Sequence, residues 1–245
     1  MAYLLSTTAG IVNVASLIAF YVLTTNITGH MAILSEEIAK MHWYQVQVVV
    51  IWFFMFFAGA FTSTIIVTTY GYSRPRVYNS IAVFIEVVIL VGVGFYGLYY
   101  YEGRLRETEV LAAALLFAMG LQNALITTIS NYVVRTTHLT GLLTDIGIDV
   151  ALLFNRRIKD KTELKKKLHL RFTIMLFYFI GGLVGAVLYL RIEFQVFYLA
   201  AAILLVALYY DFMRVSVYKI KKRIFKLFGI SKSGGSLKNT DVLEK

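Results

Sequence analysis

Two short polar stretches interrupt long apolar runs and carry the side chains best suited to bind a solute. Residues 23–29 read LTTNITG, and residues 135–141 read RTTHLTG. Hydroxyl, amide and imidazole groups donate and accept hydrogen bonds, whereas a plain spanning helix would carry leucine and valine there. Irregular backbone at membrane depth persists only where protein or a wet cavity surrounds it. The stretches therefore predict two broken helices around a solute site.

The polar stretches belong to a longer internal repeat. Six matched pairs recur in the same order: Gly10/Gly120 and Asn13/Asn123 at a separation of 110 residues, Thr25/Thr137, Thr28/Thr140 and Gly29/Gly141 at 112, and Gly59/Gly181 at 122. A separation that drifts slowly is typical of a duplicated unit with small insertions. We therefore interpret the chain as two copies of one plan.

Composition places the chain in a membrane. Of its 245 residues 59% are hydrophobic, 16% are charged, and the mean hydropathy is +0.71. Apolar runs of about 20 residues recur, the length that crosses a bilayer as a helix. The net charge of +10 is concentrated beside apolar runs, in residues 156–171 and 214–245, as in cytoplasmic loops. This placement argues against nucleic-acid binding, and the absence of cysteine excludes disulfides and thiolate sites.

These features predict an all-α polytopic membrane protein with about six spans. The predicted spans are residues 3–39, 45–69, 78–101, 110–154, 172–190 and 194–210, with the first retained rather than cleaved. Residues 1–101 and 108–211 form two three-span repeats with interrupted first helices, and an odd number of spans inverts the second. With both termini cytoplasmic, the basic loops all lie inside. Two crossings in each interrupted segment would instead give parallel halves.

Two segments follow the predicted spans. Residues 212–230 alternate apolar with basic side chains at helical spacing, which predicts an amphipathic helix that binds anionic lipids of the cytoplasmic leaflet. Residues 231–245 are rich in Gly, Ser and Lys, which predicts a disordered tail.

The repeat selects the candidate site residues. The predicted solute-binding residues are Asn13, Thr25, Asn26, Thr28, Gln122, Asn123, Thr137, His138 and Thr140, with Gly29 and Gly141 allowing the helix breaks. In the alternative interpretation these side chains only cap and kink two helices. For the asparagines, an interhelical hydrogen bond is as good an explanation as a site.

Ionisable residues within the predicted spans have two interpretations each. Glu86 would carry a coupling proton, since a carboxylate within a span is costly unless it has a function; the alternative is an ion pair, with Arg135 as a candidate partner. Asp145 and Asp149 are four residues apart and either gate the protein or approach the cytoplasmic surface. No metal or cofactor motif is present. An enzyme is not expected, although Ser130, His138 and Asp145 are the residues one would need.

Two segments resemble a known family. Residues 117–124, FAMGLQNA, with residues 136–144, TTHLTGLLT, resemble the YoaK-like family of bacterial membrane proteins, as does AGIVN at residues 9–13 followed by Thr28 and Gly29. The resemblance covers residues up to about 211 and implies about six spans but no settled function. Asn13 stands where the family commonly has Asp, which would remove a charge-dependent role at this position.

The functional prediction is a secondary transporter of a small solute in the bacterial inner membrane, with coupling to protons as one option. Alternatives are a passive channel or facilitator and a non-transporting membrane scaffold. The small-residue faces at Gly59 and Gly181 also suit contacts between copies, which leaves a homo-oligomer open.

Overall fold

Every regular element that the structure describes is a helix. The computed structural model describes residues 2–70, 75–129, 139–155 and 161–210. Its helices are α1 (Ala2–Phe20), α2 (Ile27–Ala39), α3 (Trp43–Ile65), α4 (Pro75–Tyr99), α5 (Leu105–Ile129), α6 (Leu139–Phe154), α7 (Thr162–Ile192) and α8 (residues 196–210). A π-helical turn, Ile66–Tyr70, extends α3, and a 3-10 turn, Glu193–Gln195, separates α7 from α8. The predicted all-α class is confirmed.

The chain forms two compact units with a boundary near its C-terminal end. Met1–Leu208 is the first unit and Tyr209–Lys245 is the second. The predicted amphipathic helix at residues 212–230 and the tail at residues 231–245 lie outside the described residues. The boundary predicted between the two repeats, near residue 101, falls inside the first unit.

Five helical stretches are long and apolar enough to cross a membrane. They are Ala2–Phe20, Trp43–Thr69, Ser80–Tyr99, Leu105–Thr128 and Thr162–Tyr210. The last has 49 residues, more than twice the roughly 20 that one crossing requires. The 3-10 turn interrupts it at Glu193, whose φ of 47° ends α7. The helices therefore fit a membrane-spanning protein.

The first interruption is a turn back along α1. Tyr21, with φ of 58°, ends the helix. The Ser16 hydroxyl then donates to the carbonyl of Val22 (2.9 Å), and the amide N–H of Thr25 donates to Oδ1 of Asn13 (3.0 Å). The chain thus returns past two turns of α1 before α2 begins. The sequence predicted a break within one crossing segment, whereas α1 alone is long enough to cross.

Helices of one half pack against helices of the other. α1 lies along α7, and α3 lies along α5. Glycines bring each pair into backbone contact: a Cβ on Gly10 would collide with the carbonyl oxygen of Tyr178, and a Cβ on Gly181 with that of Thr7. Small residues allow such close approach in membranes, where van der Waals packing replaces the hydrophobic effect between helices.

The second helix pair repeats the same contact. A Cβ on Gly120 would collide with the carbonyl oxygen of Phe56, and a Cβ on Gly59 with that of Phe117. The shorter helices α2 and α6 pack against α3 and α7 respectively. At 13 and 16 residues they fall below the length of a full crossing.

Candidate functional site

A cavity of about 480 Å³ lies where the first interruption meets α3, α5, α6 and α7. Its lining residues come from α1, the first interruption, α2, α3, α5, α6 and α7, and they are Asn13, Leu23, Thr25, Asn26, Ile27, Thr28, Phe56, Asn123, Leu139, Thr140 and Tyr178. This volume is in the range of small-molecule sites. No Lys, Arg, Asp or Glu is among these described lining residues, so the cavity offers neutral hydrogen-bonding groups and apolar walls.

Asn13 holds the first interruption against α1. Its side chain is buried, with 7% exposed, and its Oδ1 accepts from the N–H of Thr25 at 3.0 Å and from the hydroxyl of Thr24 at 3.5 Å. These bonds satisfy backbone that has left the helix, as a low-dielectric setting requires. The amide nitrogen of Asn13 has no partner among the described residues, which leaves a donor on the cavity wall.

The N-terminus of α2 borders the cavity. Oδ1 of Asn26 accepts from the N–H of Gly29 at 3.2 Å, and the carbonyl of Asn26 accepts from the N–H of His30. The first N–H groups of a helix have no partner within it, so Ile27 and Thr28 retain free donors among the described residues. Gly29 lies in the first turn of α2, where a Cβ would come within 2.8 Å of the Asn26 amide.

The second half contributes Asn123 and Thr140. Oδ1 of Asn123 is buried and has no partner among the described residues. Thr140 lies in the first turn of α6, which begins at Leu139, and Gly141 follows it inside the helix. The predicted site residues Thr137 and His138 lie outside the described residues, as does Arg135. The structure therefore brings six of the predicted solute-binding residues to one cavity: Asn13, Thr25, Asn26, Thr28, Asn123 and Thr140.

Five of the described lining residues were not among the predicted site residues, and two of these five, Phe56 and Tyr178, are aromatic. The hydroxyl of Tyr178 shares a hydrogen bond of 2.8 Å with that of Thr25, and Phe56 lines the opposite half. These aromatic residues are 122 residues apart, the separation of Gly59 and Gly181. The repeat arithmetic therefore contained the signal that would have found them.

Gln122 lies apart from the cavity. Its side chain is fully buried, and its Nε2 donates to the carbonyl of Leu5 at 2.7 Å. This bond joins α5 to α1, so the structure gives Gln122 a contact between helices in place of the predicted contact with solute. Its Oε1 has no partner among the described residues.

Glu86 is also buried away from the cavity lining. It lies in α4 with no exposed surface, and neither carboxylate oxygen has a partner among the described residues. The suggested partner Arg135 lies outside the described ranges. A carboxyl group without a partner inside a spanning helix is costly to ionise, which is the physical basis of its predicted proton role.

Asp145 and Asp149 bind one arginine. The guanidinium of Arg171 in α7 contacts Oδ2 of Asp145 at 3.1 Å and also contacts Oδ2 of Asp149. Only 7% of the Asp149 side chain and 17% of the Arg171 side chain are exposed. The sequence did not predict this partner. The cluster ties the second half of α6 to α7.

A protein-family model matches residues 1–210 of the chain. The chain belongs to the DUF1275 family. This family is described as proteins of unknown function, so membership leaves the activity to be argued from the site. No curated protein and no solved structure gives a significant match.

Proposed function

We propose that this DUF1275 protein is a secondary transporter of a small solute, with its site in the cavity between the interrupted helices. One observation carries the proposal: four matched pairs of the repeat line the cavity together. They are Asn13/Asn123, Ile27/Leu139, Thr28/Thr140 and Phe56/Tyr178. Many transporters bind their substrate at the interface of two repeats, beside broken helices.

The proposed architecture is a pair of inverted three-span repeats. α1 with α2, α3 and α4 would form the first repeat, and α5 with α6, α7 and α8 the second. The reciprocal packing supports this arrangement, because α1 of the first repeat lies along α7 of the second, and α5 of the second lies along α3 of the first. In this proposal both termini and the basic loops are on the cytoplasmic side of a bacterial inner membrane.

Cysteine labelling tests the topology on a background that has no native cysteine. Lys40→Cys should react with an impermeant maleimide in intact cells, because residue 40 lies between α2 and α3 on the outer side. Lys165→Cys, near the start of α7, should react only after the cells are permeabilised. Labelling of both positions from the same side would overturn the inverted arrangement.

Substitution of the matched threonines tests the site. The double variant Thr28→Val, Thr140→Val removes two hydroxyls from the cavity while preserving side-chain shape. Loss of two hydrogen bonds, each contributing about 1 kcal/mol, should lower solute uptake into proteoliposomes by at least roughly tenfold. The substrate is found first by screening the wild type against a broad panel of small solutes with an interior pH dye.

The matched control is Thr64→Val, Thr173→Val. Both hydroxyls donate to carbonyls of their own helices, Thr64 to Ala60 and Thr173 to His169, and neither residue lines the cavity. This control should retain wild-type uptake. Equal uptake by the cavity variant and the control, in protein of equal melting temperature, would remove the cavity from the transport path.

The position of Glu86 favours a passive facilitator as the second candidate. Glu86 does not line the cavity in the part of the chain that the structure describes, so solute and proton need not share a site. If Glu86 couples them, a pH gradient should drive accumulation of solute in the wild type, and Glu86→Gln should only equilibrate it. Equilibration by both proteins would establish the facilitator.

A further inference from the structure

An apolar groove adjoins the polar cavity. It has a volume of about 390 Å³, and it is lined by Val14, Leu139, Met175, Tyr178, Phe179, Gly182, Leu183 and Ala186. Leu139 and Tyr178 line the cavity and the groove alike. The two spaces therefore share a wall between α6 and α7, and a molecule at that wall meets polar groups on one side and hydrocarbon on the other.

Tyr178 lies between the polar cavity and the apolar groove. Its hydroxyl bonds to Thr25 on the cavity side, and it is one of the eight residues that line the apolar groove. The outer rim of the groove consists of Phe179 and Leu183, whose side chains are 67% and 57% exposed. Gly182 keeps the base of the groove open, since a Cβ there would come within 3.0 Å of a methyl group of Val14.

The polar end of this composite site presents hydrogen-bond donors. α2, which is longer than three turns, begins at the cavity, and a helix N-terminus attracts negative charge through free N–H groups and the helix dipole. An independent observation points to the same ligand. Asn13 is buried to more than nine-tenths, lines the cavity and uses its oxygen on Thr25, so its free amide nitrogen is a donor for a ligand.

The donors suit a single negative charge. Among the described lining residues none is acidic, so none of them carries a charge that repels an anion, and none is basic, so they offer no cation of the kind that usually holds a divalent phosphate. A carboxylate carries one charge and accepts several hydrogen bonds. The groove beside it accommodates a hydrocarbon chain that would otherwise remain in water.

We propose that the solute is a monocarboxylate with a short hydrocarbon chain, whose head group binds at Asn13 and the N-terminus of α2 and whose chain occupies the groove beside Tyr178. This assignment rests on the proposed transport function, and it specifies the class of substrate that the proposed transport site binds.

Direct binding tests the assignment independently of transport. The full-length protein in zwitterionic lipid nanodiscs is titrated calorimetrically with acetate, butyrate and hexanoate, and with butylamine and butanol as charge controls; empty nanodiscs supply the background. Hexanoate should bind at least tenfold more tightly than acetate, because each buried methylene contributes roughly fourfold. Butylamine and butanol should bind at least tenfold more weakly than butyrate. Equal affinity across chain lengths or charges would overturn the proposal.

Two variants separate the head-group site from the groove. Asn13→Asp preserves the oxygen that accepts from Thr25 but replaces the free amide donor with a second oxygen, so affinity for every carboxylate should fall at least tenfold. Ala186→Phe fills the groove and should remove the advantage of hexanoate while leaving acetate unchanged. Its control, Val187→Phe, substitutes an exposed neighbour outside the groove and should retain the advantage.

The outcomes distinguish this assignment from the transport function. Binding that depends on chain length, without flux into proteoliposomes, would contradict the proposed transport function and support the proposed monocarboxylate site. Flux of another solute that hexanoate does not inhibit would preserve transport and sink the monocarboxylate. Unchanged carboxylate binding by Asn13→Asp, in protein with the wild-type melting temperature, would also sink it.

Discussion

α2 and α6 border one cavity, and the contacts that the structure describes hold them at different places. α2 is fixed at the cavity, where Asn26 caps it and the ring of His30 bonds to the carbonyl of Leu23 at 2.8 Å. α6 is fixed farther along, where Asp145 and Asp149 bind Arg171. The far end of α2 has two surface ion pairs, Lys40 with Glu36 and His42 with Glu37, and such pairs contribute little.

Matched positions of the proposed repeat therefore need not share the contacts that hold them. A similar contrast appears around the groove. Met175, Phe179, Gly182 and Leu183 line the groove on α7, and the residues 122 positions earlier on α3 are Phe53, Phe57, Ala60 and Phe61. Three of these four α3 residues have larger side chains than their counterparts on α7, and the fourth has the same side chain.

The largest expected loss of stability concerns the glycine contacts that both helix pairs have in common. Gly59→Leu and Gly181→Leu each place a side chain against the backbone of the facing helix. Because backbone cannot move aside as a side chain does, each should destabilise the protein by about 3 kcal/mol or more, measured as unfolding in detergent. Gly92→Leu is the control, since a Cβ there has no neighbour within 4 Å. A large loss for only one of the two glycines would break the equivalence of the helix pairs.

The next largest expected loss of stability concerns the ion pairs that hold α6, which differ from the contacts that hold α2. Arg171→Met leaves Asp149 buried without a partner, which should cost about 3 kcal/mol. Adding Asp149→Leu should recover most of that loss, because no buried charge remains unpaired. In the first half Glu37 pairs with His42 at 2.9 Å, and since His42 is largely exposed, Glu37→Gln should cost under about 1 kcal/mol. Equal losses from Arg171→Met and Glu37→Gln would contradict the different anchoring of α2 and α6.

The smallest effect concerns the cap of α2. Asn26→Ala removes the acceptor for the N–H of Gly29 and should lower the free energy of unfolding by about 1 kcal/mol. Ser35→Ala, within the same helix, removes only a hydroxyl that bonds to its own helix and should change little. Thermal unfolding in detergent compares the two variants. If Ser35→Ala lowered stability as much as Asn26→Ala, the cap would not be what fixes the start of α2.

The sequence was most informative where the repeat could be counted. A separation of 112 residues, found from threonine and glycine pairs, also relates Ile27 to Leu139, where α2 and α6 begin. Extension of the glycine separation of 122 would have added Phe56 and Tyr178 to the site. These matches can be found from the sequence alone, because they depend only on the number of residues between two positions.

Contacts between distant segments could not be read in this way. Gln122 was itself predicted to bind solute, yet it is not among the described lining residues of the cavity, and its side chain bonds to Leu5 on α1. The return of the chain along α1 depends on a hydrogen bond that Ser16 donates and one that Asn13 accepts. The sequence alone does not distinguish this return from a simple kink, because polar residues in an apolar run are compatible with both. Arg171 lies in a basic segment in which Lys165, Lys166 and Lys167 are exposed, so nothing local marked it as the partner of two carboxylates.

The crossed helix pairs also order the events of synthesis. α1 is synthesised before α7, the helix it packs against; its Ser6 hydroxyl bonds to the carbonyl of Ile174, 168 residues later. Until α7 is made, the glycine face of α1 lacks the helix that it contacts in the folded protein. A chain cut between the halves would lack both long interfaces, so neither half should fold alone, while co-expressed halves should assemble.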